Sequence, residues 1–157
     1  MHRTTIGASA HPTRLLHTML RTSDLDRSLE FYCNKLGMRE LRRENYPDGE
    51  FTLAYIGYEE EADNSVIVLT HNVGEAAYSH GTRFGHIALA VSDLAATCER
   101  LKSKGVKILR PPGPMTHASI KGERDVIAFV EDPDGYRVEL IEINMGNDEK
   151  STQKLAL

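Results

Sequence analysis

HTMLRTSDLDRSLEFYCNKLG, residues 17–37, and HIALAVSDLAATCERLKSKG, residues 86–105, are two versions of one pattern. Each opens on a histidine at the head of an apolar run, turns through Ser-Asp-Leu into helical spacing, and leaves on a glycine. In the first copy the two-residue period of LLHTMLRT, from Leu15, predicts a strand with His17, Met19 and Arg21 on one face. Ser23 is the expected N-cap, with Asp26 at N3 as an acidic variant of the capping box and Asp24 suited to the first turn. Leu25, Leu29, Tyr32 and Leu36 follow at helical spacing, and Gly37 is placed to end the run, so an amphipathic helix of about three turns is expected. The second copy gives a strand over 84–91, Ser92 as the expected N-cap, Leu94, Cys98 and Leu101 on the apolar face, and Gly105 as the exit.

Outward from these stretches the strand signals repeat in the same order. Residues 38–46 and 51–58 flank the turn Pro47-Asp48-Gly49, and 65–71 follow. In the second half the candidates are 106–109, 126–130 and 136–143, the last two joined by the tight turn EDPDG. RPPGPM at 110–115 reads as a loop, because prolines lack the donors that a central strand needs. Each half is therefore β-α-β-β-β, and the fold class is α+β. The expected organisation is one domain over 14–143 with modules at 14–72 and 84–143, and flexible termini at 1–13 and 144–157. Two such modules curl into troughs that together enclose a cavity, within a chain or across a dimer.

Composition narrows the function classes. The chain has 157 residues, 40% apolar and 27% charged, which suits an ordinary globular domain with a real core. Its formal charge is -4 with Lys and Arg scattered, so a nucleic-acid surface is not expected. No run is long enough to span a bilayer and the N-terminus lacks a signal-type apolar stretch, so residence in the cytoplasm is the expectation. Cys33 and Cys98 fall at nearly matched helical positions without CxxC spacing, and read as core-facing thiols.

The chemistry-bearing residues come from laying the copies over one another. VIVLT at 66–70 superposes on RVELI at 137–141, so Val68 lies opposite Glu139. A lone strand histidine is usually a half-buried hydrogen-bonding residue. Two at equivalent positions, His17 and His86, point to a metal, since imidazole suits Zn, Ni, Co and Fe and a carboxylate beside it widens the choice. Glu139 lies between Val138 and Leu140, and a carboxylate buried there needs a cation or a metal. Val68 cannot ligate anything. His71 is the nearest substitute, but it points to the other face unless a bulge shifts the register. Glu59, Glu60, Glu61 and Asp63 read as a solvated acidic loop, and Glu142, of opposite parity to Glu139, as surface or interface. Arg21 shares the parity of His17 and can meet a carboxylate with its planar fork, or else snorkel at a strand end. Asn72 holds a ligand or caps the loop leading to Gly74. Arg83, His117, Lys121 and Arg124 supply further polar groups near the cavity mouth.

The runs RLLHTMLR (14–21), DLDRSLEFYCNKLGM (24–38), LAYIGY (53–58), FGHIALAV (84–91) and IAFVEDPDGYRVELIE (127–142) closely resemble the bacterial type of metal-dependent glyoxalase I, or lactoylglutathione lyase, within the vicinal oxygen chelate superfamily. The resemblance covers nearly everything from Arg14 to Ile143. It implies that His17, His86 and Glu139 are metal ligands, that Glu139 is also the catalytic base, and that Val68 stands where a further ligand glutamate belongs. It further implies one divalent metal per site, nickel or zinc foremost with cobalt or iron also accommodated, and glutathione-binding roles for Arg21 and Asn72. Homodimers whose sites are shared between subunits are implied too, His17 and the Val68 position coming from one chain and His86 with Glu139 from the other. The expected reaction converts the hemithioacetal of methylglyoxal and glutathione into S-lactoylglutathione. Val68 leaves three other readings open: a related isomerase or dioxygenase with a two-His, one-Glu site, a thiol-conjugate binding module without turnover, or an engineered substitution in an ordinary member of the family.

Overall fold

The computed structural model describes residues 10–75 and 77–144. The outer parts of the two termini expected to be irregular, 1–9 and 145–157, lie outside the described residues.

Two four-stranded sheets form, each from one half of the repeat. In chain order the elements are β1 (His17–Arg21), α1 (Leu25–Leu29) running into a π-helical segment (Glu30–Lys35), β2 (Arg39–Tyr46), β3 (Phe51–Gly57) and β4 (Val66–Asn72). The second half gives β5 (Ile87–Val91), α2 (Leu94–Ser103), β6 (Lys107–Pro114), β7 (Val126–Glu131) and β8 (Arg137–Glu142). The strand orders are β1-β4-β3-β2 and β5-β8-β7-β6. In each sheet the strand that opens the module pairs parallel with the strand that closes it, and every other pairing is antiparallel. The sheets thus repeat one β-α-β-β-β topology, as the sequence pattern predicts.

Both helix starts differ from the sequence expectation. Asp24, in extended backbone, is the N-cap of α1 and accepts from Arg27 N at 3.0 Å. Ser23 is drawn away from the helix instead, its amide and hydroxyl both donating to Asp134 of the second module. In α2 the cap is Asp93, accepting from Ala96 N at 3.0 Å, rather than Ser92. Glu142, expected at the surface, is exposed and also accepts from Leu94 N at 2.9 Å, adding a carboxylate to that helix N-terminus. The first helix is also not regular. Its last turns widen into π geometry, with Leu36 N bonding Phe31 O at 3.0 Å. The wider turn brings the consecutive residues Phe31 and Tyr32 both into the core, edge to face at 4.9 Å. Gly37 and Gly105 then release the two helices from the left-handed region, at φ 78° and 80°, where a Cβ would be strained.

The segment 110–114, expected as a loop, extends β6 instead. It can do so because β6 is the outermost strand of its sheet and its pairing with β7 is broken by register shifts, the places where proline is tolerated.

One hydrophobic cluster joins the modules. Leu20, Tyr32, Ile56 and Leu69 of the first pack in the same core as Leu94, Leu101, Val130 and Leu140 of the second. A smaller cluster, Tyr55, Val66 and Val68 with Leu41 and Leu53 against it, covers the opposite face of the first sheet. Cys33 is half-buried against the core and Cys98 is buried, both as free thiols.

Candidate active site

The parallel pairings fix the correspondence between the two halves residue by residue. His17 precedes Met19, which lies opposite Val68, and His86 precedes Ala88, which lies opposite Glu139. The two histidines therefore head equivalent edge strands, and Val68 and Glu139 occupy equivalent places on the neighbouring strands.

In the second module the register produces a contact. His86 Nε2 lies 2.9 Å from Glu139 Oε2, and the Glu139 side chain is only 12% exposed. Phe129, opposite Glu139 across β7 and β8, packs edge-on to the His86 ring at 5.2 Å. An imidazole nitrogen and a largely buried carboxylate oxygen converge here in an apolar setting, a donor set that fits a divalent metal of borderline softness. A cavity of about 630 Å³ opens beside the pair, bounded by Tyr78, His80, Phe84, Phe129 and Arg137.

The first module offers a different surface. His17 stands edge-on to Tyr55 at 6.0 Å, and Tyr55 lies across from Val68 in the β3–β4 ladder. Val68 is 2% exposed, packed with Val66 and Tyr55, so the place equivalent to Glu139 is filled by apolar contact. The other partner of Tyr55 is Arg42, whose guanidinium carbon sits 3.5 Å from the ring centroid. Arg42 also grips Glu61 through two hydrogen bonds of 2.8 and 2.9 Å, which hold the Glu61 carboxyl below the usual carboxylate range. That member of the acidic loop is consequently fixed rather than merely solvated.

His71 does not reach the Val68 face. The pairing of β4 with both neighbours runs without a bulge, so His71 keeps the parity opposite to Val68. It lines a separate groove with Asp24, Arg43, Asn45 and Thr52.

Arg21 and Asn72 fall on the His17 face. Arg21 lies opposite Thr70 in the β1–β4 ladder, and Asn72 is the next same-side position of β4, with its Nδ2 donating to Tyr78 Oη at 3.2 Å. Between Val68 and Asn72 on that face stands Thr70, 7% exposed, whose Oγ1 has no hydrogen-bond partner among the described residues. A buried hydroxyl left unpaired is costly, so this one is free to take a partner on that face. Thr70 was available to sequence reading through its parity with Val68 and Asn72, but nothing in the sequence distinguishes an unpaired hydroxyl from a paired one. Arg83, His117, Lys121 and Arg124 are exposed.

His17 does not join the His86 and Glu139 pair. Among the described residues no cluster of three or more His, Cys, Asp or Glu side chains converges. One chain thus carries two separate groups, His17 with Val68 on one sheet and His86 with Glu139 on the other.

A profile of the Glyoxalase/Bleomycin resistance protein/Dioxygenase superfamily matches residues 14–140. The chain is 55% identical to a "Probable lactoylglutathione lyase" of Synechocystis sp. over 134 residues, which are 85% of this chain and 98% of that protein. Among solved structures, a valine-to-glutamate variant of glyoxalase I from Zea mays superposes with a TM-score of 0.76 at 45% identity, over 83% of this chain and 44% of that one. This chain therefore spans less than half of the maize protein. The trypanothione-dependent glyoxalase I of Leishmania major superposes with a TM-score of 0.73 at 36% identity, covering 92% of this chain and 96% of that one.

Proposed function

The chain belongs to the Glyoxalase/Bleomycin resistance protein/Dioxygenase superfamily, and from that membership we propose that it is a lactoylglutathione lyase acting on the hemithioacetal of methylglyoxal and glutathione. Within a chain of this family, the observation that carries the reading is the contact of His86 with the largely buried Glu139. The reaction moves a proton from the carbon bearing sulfur to the neighbouring carbonyl carbon and the hydroxyl proton from the first oxygen to the second, turning a hemithioacetal into a thioester with no net change in atoms.

The residues divide that task. Glu139 is the base that takes the carbon-bound proton and returns it to the adjacent carbon. Its low exposure keeps water from exchanging that proton during transfer. Phe129 and Glu139 fix the His86 ring, so the half-site is held in place before substrate arrives. Arg21 binds a glutathione carboxylate, and Thr70 and Asn72 lie along the same face to receive the rest of that end. His17, His86 and Glu139 would hold a divalent metal, nickel or zinc foremost. When bound, that metal supplies polarisation of the two adjacent substrate oxygens.

The separation of the two half-sites supports a homodimer in which His17 and Val68 of one subunit face His86 and Glu139 of the other. Free Cys33 and Cys98 fit a reducing compartment such as the cytoplasm. No helix among the described residues is long and apolar enough to cross a membrane.

Val68, buried and apolar where the repeat would place a second carboxylate, favours one competing reading. In it the trough binds an S-substituted glutathione without turning it over. Apo-protein reconstituted separately with Ni, Zn, Co and Fe, and assayed for S-lactoylglutathione formation, decides between them. Thioester production with any one metal establishes the lyase, whereas affinity for S-alkylglutathione with no product from any metal establishes the binding module.

A further inference from the structure

Among the described residues β1 is an edge strand, with β4 on one side and no strand on the other. Its backbone groups alternate between those sides. Leu16 O accepts from Val66 N at 3.1 Å and Thr22 N donates to Thr70 O at 2.9 Å, so even-numbered residues face β4 and the carbonyl of Arg21 faces the open edge. An edge carbonyl of this kind is ordinarily left to water. Here it accepts from Tyr136 Oη, a residue of the second module 115 positions away, at 3.0 Å.

Tyr136 is itself held through both its ring and its backbone. Its ring packs against His80 with centroids 4.3 Å apart and takes Phe84 edge-on at 5.6 Å, both from the stretch between β4 and β5. Its amide donates to Asp132 Oδ1 at 2.8 Å, and its carbonyl accepts from Asp132 N at 2.9 Å. Asp132 is buried and accepts from Tyr32 Oη at 2.7 Å, so the turn that presents Tyr136 is bolted into the first module. Two residues before Tyr136, Asp134 takes hydrogen bonds from Thr22 and Ser23, the residues that follow Arg21. Three residues after Tyr136, β8 carries Glu139.

We infer that Tyr136 is a positioning residue, its hydroxyl setting the position of Arg21 relative to the strand that bears Glu139. The inference rests on the lyase reading for the role of Arg21 and adds a residue that touches neither substrate nor metal. The hydroxyl ties the substrate-binding end of one half-site to the base-bearing strand of the other within a single chain. With it, Arg21 meets the glutathione end from a backbone that is already ordered. Without it, that strand end becomes a free edge and must be ordered when ligand binds, which weakens binding more than it slows proton transfer.

The test is Tyr136→Phe, which deletes only the hydroxyl and leaves the ring between His80 and Phe84. The control is Tyr58→Phe, which removes another tyrosine-to-carbonyl bond, Tyr58 Oη to Leu36 O at 2.7 Å. Binding of S-hexylglutathione is measured by titration calorimetry on the full-length chain, together with KM and kcat for the hemithioacetal. The expected result is a Kd and a KM about fivefold higher in Tyr136→Phe, with kcat within about twofold of the parent and binding unchanged in Tyr58→Phe. Equal affinity in Tyr136→Phe and the parent overturns the inference, as does an equal loss in both variants or a loss confined to kcat. A parent chain that binds no S-hexylglutathione overturns the lyase reading itself, and that result is visible before either variant is compared.

Discussion

Val68 and Glu139 hold the same register position in the two sheets, Val68 opposite Met19 and Glu139 opposite Ala88. One is an apolar residue sealed beneath Tyr55, and the other is a carboxylate turned toward a histidine. The repeat is symmetric in backbone and asymmetric in charge at this register position.

Val68→Glu gives the first sheet the carboxylate that Glu139 gives the second, at a cost. Placed among Tyr55, Val66 and Leu53, an unpaired carboxylate should lower the stability of the metal-free protein by roughly 2 kcal/mol or more. Added Ni or Zn should then raise its thermal midpoint more than it raises the parent's, and tighten metal binding at least tenfold by titration calorimetry. An unchanged or weaker metal Kd would remove the case that a ligand is missing here.

Glu139→Gln keeps the shape of the side chain and removes its basicity. Turnover at saturating metal should fall by about 100-fold or more, as the loss of a general base requires. Product formation near the parent rate would assign proton transfer to another group.

Thr70→Val separates a ligand role from a structural one. Removing a buried hydroxyl that has no partner among the described residues should leave the thermal midpoint unchanged or slightly higher. Affinity for S-alkylglutathione should nevertheless drop about threefold to tenfold. A clear loss of stability with intact affinity would place the hydroxyl in the fold rather than in the site.

Asp134 makes the contact between the modules sensitive to acid. Burial pushes its carboxyl upward, but the bonds from Ser23, Thr22 and Ser28 outweigh it and hold the folded value below the ordinary 3.8. Stability from such a group is present in full above pH 3.8 and is lost as pH falls from there through the lower folded value. Asp132 carries the opposite sign, since burial raises it despite its bond to Tyr32. Asp134→Asn should therefore lower the thermal midpoint most at neutral pH, with the gap from the parent narrowing below pH 3.8. A gap independent of pH would show that the carboxylate charge plays no part.

The alternation and helical spacing of the chain were enough to place nearly every strand and both helices, because each element buries one face and its period records that face. The same periods brought His17 into correspondence with His86, and Val68 with Glu139. The helix caps were less legible. Ser23 has the better local signature, yet Asp134, 111 residues away, takes both its amide and its hydroxyl and leaves the cap to Asp24. The edge position of β6, which admits its prolines, is likewise a property of the assembled sheet rather than of the segment.

By itself the sequence determined the doubled β-α-β-β-β plan, the faces on which the candidate site residues lie, and the correspondence of Val68 with Glu139. Only the tertiary structure decided that His86 meets Glu139 while His17 stands on the other sheet, that Val68 is sealed by Tyr55, and that the turn from Asp132 to Tyr136 locks the modules together. The physical reason is range. A period of 2 or 3.6 residues reports what one element needs to bury, whereas the partner it finds is set by packing and hydrogen bonds between residues a hundred positions apart.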